Sequence, residues 1–255
     1  MDRLDSLLVK KGLVISRTRG EYEIKNGNVL VDGKVVTKPS TKFNDDVEIV
    51  INNKLDYVSK GALKLLKAIE SFNIDLSNKV MLDIGSSTGG FSDVALRNNI
   101  KKVIAVDVGT DQFDKNLQND SRIELHENTD IRNFNITEEI DTVTIDVSFI
   151  SVTKIIDKLK EINPKEIVLL IKPQFECGKE MSDKYKGIPL NKEVHKEVIE
   201  KVINAFKNIN YNISGLTYSP ITGGSGNIEY LAYFTKDNKT EIDIEKIINN
   251  AFKNL

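Results

Sequence analysis

The sequence predicts an α/β protein of two bodies: a small α+β N-terminal domain and a Rossmann-like domain on a mostly parallel sheet, its last strand antiparallel. Three observations carry this. Beyond residue 60, helical and apolar extended segments alternate, which places parallel strands between helices on both faces. Before residue 55, short helical patterns precede short strands joined by tight turns. The 255 residues are 40% hydrophobic and 29% charged, the composition of a globular chain with a substantial core.

The elements follow in order. Leu4, Leu7 and Leu8 recur at helical spacing, and Lys10-Lys11-Gly12 ends that helix. Ser16 is placed to cap a second helix over RTRGEYEIKNG, which Asn26-Gly27 stops. VLV, Asp32-Gly33 and KVV read as a hairpin, because Asp-Gly supplies the positive φ angles of a type I′ turn. VEIVI (47–51) gives a third strand. The expected domains are 1–54 and 60–255, with a linker over 55–59. In the second, a helix over 60–72 precedes strand VMLDI, a helix over 90–98, and strands VIAVD, IDTVTID and IVLLIK. Strands near 212–218 and 228–235 flank the loop TGGSGN, which has no room for a helix, so they should be antiparallel neighbours. Residues 240–254 place Ile244, Ile247, Ile248 and Ala251 on one face of an amphipathic helix, expected to pack on the domain.

Composition excludes several classes. The longest clean apolar run, Ile167 to Ile171, is five residues, too short to span a bilayer. The opening MDRLDSLLVKKG carries two acids and lacks the apolar core of a secretory leader, so a cytoplasmic location is expected. The single Cys177 cannot form an internal disulfide or a four-cysteine metal site, and His126 and His195 lie far apart, so no metal is expected. The net charge of −2 hides a split. Residues 1–64 hold 12 Lys/Arg and 9 Asp/Glu, a balance of +3; the remainder holds 24 and 29, a balance of −5. A mildly basic end ahead of an acidic body hints at a nucleic-acid partner.

VMLDIGSSTGGF (80–91) is a hydrophobic strand entering a glycine-rich turn and a helix. No Lys-Ser/Thr follows the glycines, so it is not a Walker phosphate loop, and the spacing of Gly85, Gly89 and Gly90 is not G-x-G-x-x-G. The next strand ends in Asp107, 22 residues after Gly85, where a carboxylate can accept both hydroxyls of a ribose. A glycine-rich turn with a ribose acid and no phosphate cradle suits S-adenosylmethionine. A dinucleotide, or a plain strand–turn–helix with an N-capping aspartate, stays open. Asp130 in ENTDIR follows the third strand, placed either to meet an adenine or to cap a helix.

Four ionisable residues converge on the same edge. Asp146 and Lys172 follow the fourth and fifth strands, Glu229 opens the antiparallel last strand, and Lys64 lies on the helix before the glycine-rich turn. Pro173 keeps Lys172 extended. Such charges are commonly solvated; their joint placement beside apolar runs suggests chemistry. A sulfonium methyl needs only in-line approach of a nucleophile. A ribose hydroxyl becomes that nucleophile when its proton is taken, and a neutral lysine can take it once burial and a second cation lower its pKa from ~10.4. Asp146 and Glu229 would oppose that shift, so the balance is open in the sequence.

These residues resemble a known family. The C-terminal body is similar to the FtsJ-like ribose 2′-O-methyltransferases, whose catalytic set is Lys-Asp-Lys-Glu. On that resemblance, YVSKGALKL supplies Lys64, IDVSFIS Asp146, LLIKPQFE Lys172 and GNIEYL Glu229. LDIGSSTGGF brings Asp83, Gly85, Ser87, Thr88, Gly89, Gly90 and Phe91 to S-adenosylmethionine, with Asp107, Val108 and Asp130 opposite. RLDSLLVKKGLVISRTR and VLVDGKVVTKPS resemble the S-four type of RNA-binding domain. Together the two bodies look like the TlyA family, called haemolysins or rRNA methyltransferases.

The resemblance implies formation of 2′-O-methylcytidine in ribosomal RNA of the large subunit and, in some members, the small. Dual-substrate members tend to carry a short C-terminal extension, which the helix over 240–254 resembles. It implies ribosomal RNA or ribosomal subunits as partner, with no membrane and no metal. Arg3, Arg17, Arg19, Lys25 and Lys38 would contact RNA, chiefly its phosphates. Gly20-Glu21 departs from the family, which commonly has alanine there. Two other readings compete. A non-catalytic ribosome-binding or assembly factor would share the RNA domain without needing the charged edge. A pore-forming cytolysin is opposed by the lack of bilayer-length apolar segments and of alternating barrel strands.

Overall fold

The computed structural model describes residues 1–14, 16–25, 27–51, 57–178, 181, 191–237 and 240–255. The chain divides into two compact units, Met1–Asp56 and Tyr57–Leu255. Residues 52–56, which include the start of the expected linker, and Asn26, the expected helix stop, lie outside the described residues. Tyr57 and Val58, placed in the linker by sequence, belong to the second unit: Arg97 lies 4.3 Å over the Tyr57 ring, and Val58 N–H donates to Asp93 Oδ2 at 2.9 Å.

The first unit comprises β1 (Asp2–Arg3), α1 (Leu4–Lys10), α2 (Arg17–Lys25), β2 (Val29–Val31), β3 (Lys34–Val35), β4 (Lys42–Phe43) and β5 (Ile49–Ile51). Ser16 Oγ accepts from Arg19 N–H at 3.2 Å, as a cap should. Asp32 and Gly33 take φ of 48° and 75°, the turn expected between β2 and β3. The third strand is shorter than the 47–51 read from sequence. β5 pairs Ile49–Ile51 with Val29–Val31 of β2, while Glu48 bonds to the turn residue Asp32, its carbonyl accepting from Asp32 N–H at 2.9 Å and its N–H donating to Asp32 Oδ1 at 3.0 Å. The two-residue pair β1–β4 had no sequence signal, because two residues show no alternation. Leu4, Leu8, Ile24, Val29 and Val31 form the core. Gly20 lets α2 approach α1: an added Cβ would lie 3.0 Å from the Asp5 carbonyl oxygen.

The second unit runs α3 (Gly61–Phe72), β6 (Val80–Ile84), α4 (Gly90–Arg97), β7 (Lys102–Val106), α5 (Lys115–Gln118), β8 (Ile123–His126), β9 (Thr142–Ile145), α6 (Ile156–Ile162), β10 (Glu166–Ile171) and α7 (Pro173–Glu176). After it come α8 (Lys192–Lys207), β11 (Asn212–Tyr218), β12 (Tyr230–Thr235) and α9 (Ile244–Asn254). The sheet order is β11-β12-β10-β9-β6-β7-β8. β12 is antiparallel to both neighbours; the other pairs are parallel. Val80, Leu82 and Ile84 face one core with Leu159, Val198 and Ile248, while Met81 faces the other with Leu65, Ala68 and Val94. Burial on both faces is why these strands read as unbroken apolar runs. Gly85, Asp107, Asp146 and Lys172 each follow the carboxyl end of a parallel strand. Glu229 precedes a strand running the other way, so it reaches the same edge.

Candidate active site

The glycine-rich turn is tight by necessity. Gly85 has φ of +82°, and a Cβ there would lie 2.5 Å from the Asp146 carbonyl oxygen, so β6 and β9 can meet only through a residue without a side chain. Gly89, at φ +88°, begins α4. Asp107 joins two loops: Oδ2 accepts from Ser87 N–H at 2.8 Å and Oδ1 from Gly109 N–H at 2.7 Å. Each oxygen keeps a further lone pair for an outside hydroxyl. Glu127 accepts three backbone N–H groups, from Asp111, Gln112 and Phe113, which fix the next loop and hold its carboxyl below the usual range.

Of the two readings of Asp130, the cap is the one seen. It caps a short helical turn through Arg132 N–H at 3.0 Å, and Arg132 also pairs with it, lowering its pKa. It also lines a cleft of about 490 Å³ with Gly85, Ser87, Asp107, Val108, Asp146 and Phe149. A polar cavity of about 210 Å³ adjoins it, bounded by Lys64, Ser86, Thr88, Gly90, Phe91 and Asp146. Asp83 is the floor of that cavity. It is fully buried, Ser92 Oγ and Thr144 Oγ1 donate to it at 2.8 and 2.9 Å, and burial pushes its pKa up to about 6. Its hydrogen bonds brace the turn from beneath.

The four charged residues meet. Lys64 Nζ donates to Glu229 Oε2 at 2.8 Å and lies 3.8 Å from Asp146 Oδ2. Lys172 Nζ is 2.5 Å from Asp146 Oδ1, an ion contact outside directed hydrogen-bond geometry, and donates to Ser148 Oγ at 2.9 Å. Lys172 is extended at φ −112°, ψ 98°, and Pro173 begins α7. Lys64, Lys172 and Glu229 are buried, and Asp146 is the most open of the four. A buried lysine amine with an ionised partner is a group whose proton can be shared with a substrate.

Sequence reading missed the residues around this set. Gln174 Nε2 donates to Glu229 Oε1 at 3.2 Å. Glu176, raised in pKa by burial, accepts from Ser151 Oγ and Val152 N–H at 2.5 and 2.7 Å and staples the 147–152 loop to α7. Among the described residues, four buried side-chain atoms have no hydrogen-bond partner: Ser86 Oγ, Asp146 Oδ1, Gln174 Oε1 and Asn227 Oδ1. All belong to this edge or its neighbours, where a bound molecule can complete them. The motifs IDVSF and KPQFE contain Ser148 and Gln174, but a strand-end hydroxyl or amide has no spacing rule that marks it.

In the first unit, four of the five expected RNA-contact residues lie against an acid. Arg3 and Arg17 both bind the fully buried Asp5, at 2.6 and 3.1 Å, holding its carboxyl well below the usual range. Arg19 Nη2 pairs with buried Glu23 at 2.6 Å. Lys25 lies 3.9 Å from Glu21, and Lys38 is exposed.

Comparison with known proteins agrees with this architecture. Residues 57–236 match the FtsJ-like methyltransferase family and residues 2–49 the S4 domain. Hemolysin A of Brachyspira hyodysenteriae is 41% identical over 91% of this chain and 99% of its own length. The 23S rRNA (cytidine-2'-O)-methyltransferase TlyA of Campylobacter jejuni is 36% identical over 90% and 98%. The solved structure of a hemolysin-named protein of Streptococcus thermophilus superposes with a TM-score of 0.77 at 37% identity, covering 99% of this chain and 96% of that one. No helix among the described residues is long and apolar enough to cross a membrane. The chain belongs to the FtsJ-like methyltransferase family and groups with the TlyA and Hemolysin A proteins within it.

Proposed function

We propose that the protein transfers a methyl group from S-adenosylmethionine to the ribose 2′-hydroxyl of a cytidine in ribosomal RNA, in the cytoplasm. The observation that carries this is the joining of Lys64, Asp146, Lys172 and Glu229 at one sheet edge, beside a cleft with a free diol acceptor. The named 23S rRNA methyltransferase of Campylobacter jejuni supports the substrate.

The cleft fits the cofactor. Asp107 offers lone pairs to ribose hydroxyls, Gly85 keeps the floor free of a side chain, and Ser86 Oγ, Thr88 and Gly90 bound the smaller cavity where a polar amino-acid end would lie. Asp130, Val108 and Ser87 line the other end of the cleft. When bound, the cofactor supplies an activated sulfonium methyl. Lys172, as neutral amine, accepts the 2′-hydroxyl proton as the oxygen attacks. Asp146 holds the Lys172 amine and stabilises the ammonium that forms; Lys64, anchored by Glu229, holds the other carboxylate oxygen of Asp146. Arg3, Arg17, Arg19, Lys25 and Lys38 of the first unit supply phosphate contacts.

The test is label transfer. The purified chain, given methyl-labelled S-adenosylmethionine and ribosomal subunits, should label large-subunit RNA, with a small-subunit arm reading substrate range. Tight subunit binding without label in either RNA would replace this reading with an assembly factor.

A further inference from the structure

The ion contact between Lys172 and Asp146 does not fix the direction of the amine. Coulomb attraction is non-directional, and at 2.5 Å Asp146 Oδ1 still lies outside hydrogen-bond geometry. Among the described residues, the directed hydrogen bond of Lys172 Nζ goes to a residue outside the charged four, Ser148, at 2.9 Å. The loop holding Ser148 is over-determined. Phe149 sits in the left-handed region at φ +64°, rare for a large side chain. Its ring packs on Phe175 with centroids 5.1 Å apart. Glu176 clamps Ser151 and Val152. Ser148 itself is exposed and lines the larger cleft, beside Asp146.

A neutral primary amine has two N–H groups and one lone pair. With Ser148 Oγ accepting one N–H, and Asp146 holding the amine by charge alone, the lone pair is confined to the two remaining tetrahedral directions. Without Ser148, rotation about Cε–Nζ is free to turn an N–H where the lone pair should be. We propose that Ser148 is a positioning residue for the proposed methyl transfer, orienting the Lys172 lone pair toward the incoming 2′-hydroxyl. This rests on Lys172 being the base. A hydroxyl suits the task because it orients the amine without adding a negative charge that would favour the ammonium. The groups facing Lys172 are Asp146 after β9, Lys64 on α3 through Asp146, Glu229 before β12 through Lys64, and the Phe175 ring 5.9 Å away on α7.

Three substitutions test this in the full-length chain, with ribosomal subunits and labelled S-adenosylmethionine. Ser148→Ala should lower kcat about tenfold or more, the scale of lost orientation, with KM for the cofactor unchanged. Ser148→Thr keeps the acceptor and should retain most of kcat. Ser148→Asp keeps an acceptor but adds charge; it should move the acidic limb of the kcat–pH profile up by about one unit. Wild-type kcat in Ser148→Ala, failure of Ser148→Thr to restore it, or an unmoved limb in Ser148→Asp would each overturn the proposal. Lys172→Met is run alongside. If it keeps transferring methyl groups, the base assignment has failed; if it is dead while Ser148→Ala is normal, only the positioning role has failed.

Discussion

Both units pair acids with bases, but they differ in whether the base is buried along with its acid. In the first unit the acids are inside: Asp5 and Glu23 are 0% and 2% exposed, while the side chains of Arg3, Arg17 and Arg19 are 39%, 55% and 21% exposed. At the edge of the large sheet the bases are inside, Lys64 at 8% and Lys172 at 7%. A buried acid under a guanidinium clamps it while leaving outward N–H donors for phosphates. A buried amine gives up that outward reach. On the proposed function, the same residue types serve binding in one unit and chemistry in the other.

The contrast predicts unequal damage from substitution. Lys172→Met should cut methyl transfer on the order of 10²- to 10⁴-fold, the usual worth of a general base, while leaving cofactor affinity intact by calorimetry. Comparable loss of cofactor binding would recast Lys172 as a binding residue. Next in size, Gly85→Ala forces a Cβ to within 2.5 Å of the Asp146 carbonyl at a φ of +82°. It should weaken cofactor binding at least about tenfold and lower Tm; an unchanged dissociation constant would mean that the turn is not the cofactor floor.

Asp83 sharpens the comparison through pH. Its folded pKa of about 6 lies above its unfolded value, so its contribution to stability is present in acid and lost as pH rises through 6. Asp83→Asn removes that titration. Its Tm should therefore fall less than that of the unaltered chain between about pH 4 and about pH 7. Parallel Tm curves would show that Asp83 does not titrate there. Asp5 has the opposite sign: its lowered pKa means that its contribution to the first unit's stability is lost in acid. The smallest effect belongs to the RNA face. Arg17→Ala leaves Asp5 still held by Arg3, so the unit should fold, with RNA affinity reduced severalfold and the salt slope flattened by about one phosphate. An unchanged slope would move the phosphate contacts to other cations.

What the sequence made legible follows from the same physics. Strands buried on both faces announce themselves as VMLDI and IVLLI, and Asp-Gly announces a hairpin, so the large sheet and β2–β3 could be read directly. Strand ends carried Asp146 and Lys172, chain direction placed Glu229 beside them, and Lys64 came from the helix before the glycine-rich turn. The β1–β4 pair was too short to show a period, and β5 was over-read because Glu48 bonds to the turn residue Asp32 and not to a strand residue. Ser148, Gln174 and Glu176 were illegible for another reason. Their importance lies in hydrogen bonds to residues distant in the chain, a relation that no one-dimensional spacing records.

The central claim is that the buried-lysine edge modifies a ribose oxygen of ribosomal RNA. Its most direct test is nucleoside mass analysis of ribosomal RNA after incubation of purified subunits with the protein and S-adenosylmethionine. The account predicts one new ribose-methylated cytidine, appearing as an alkali-resistant linkage. A methyl group found on a base, or no new methyl at all with active cofactor binding, would contradict it.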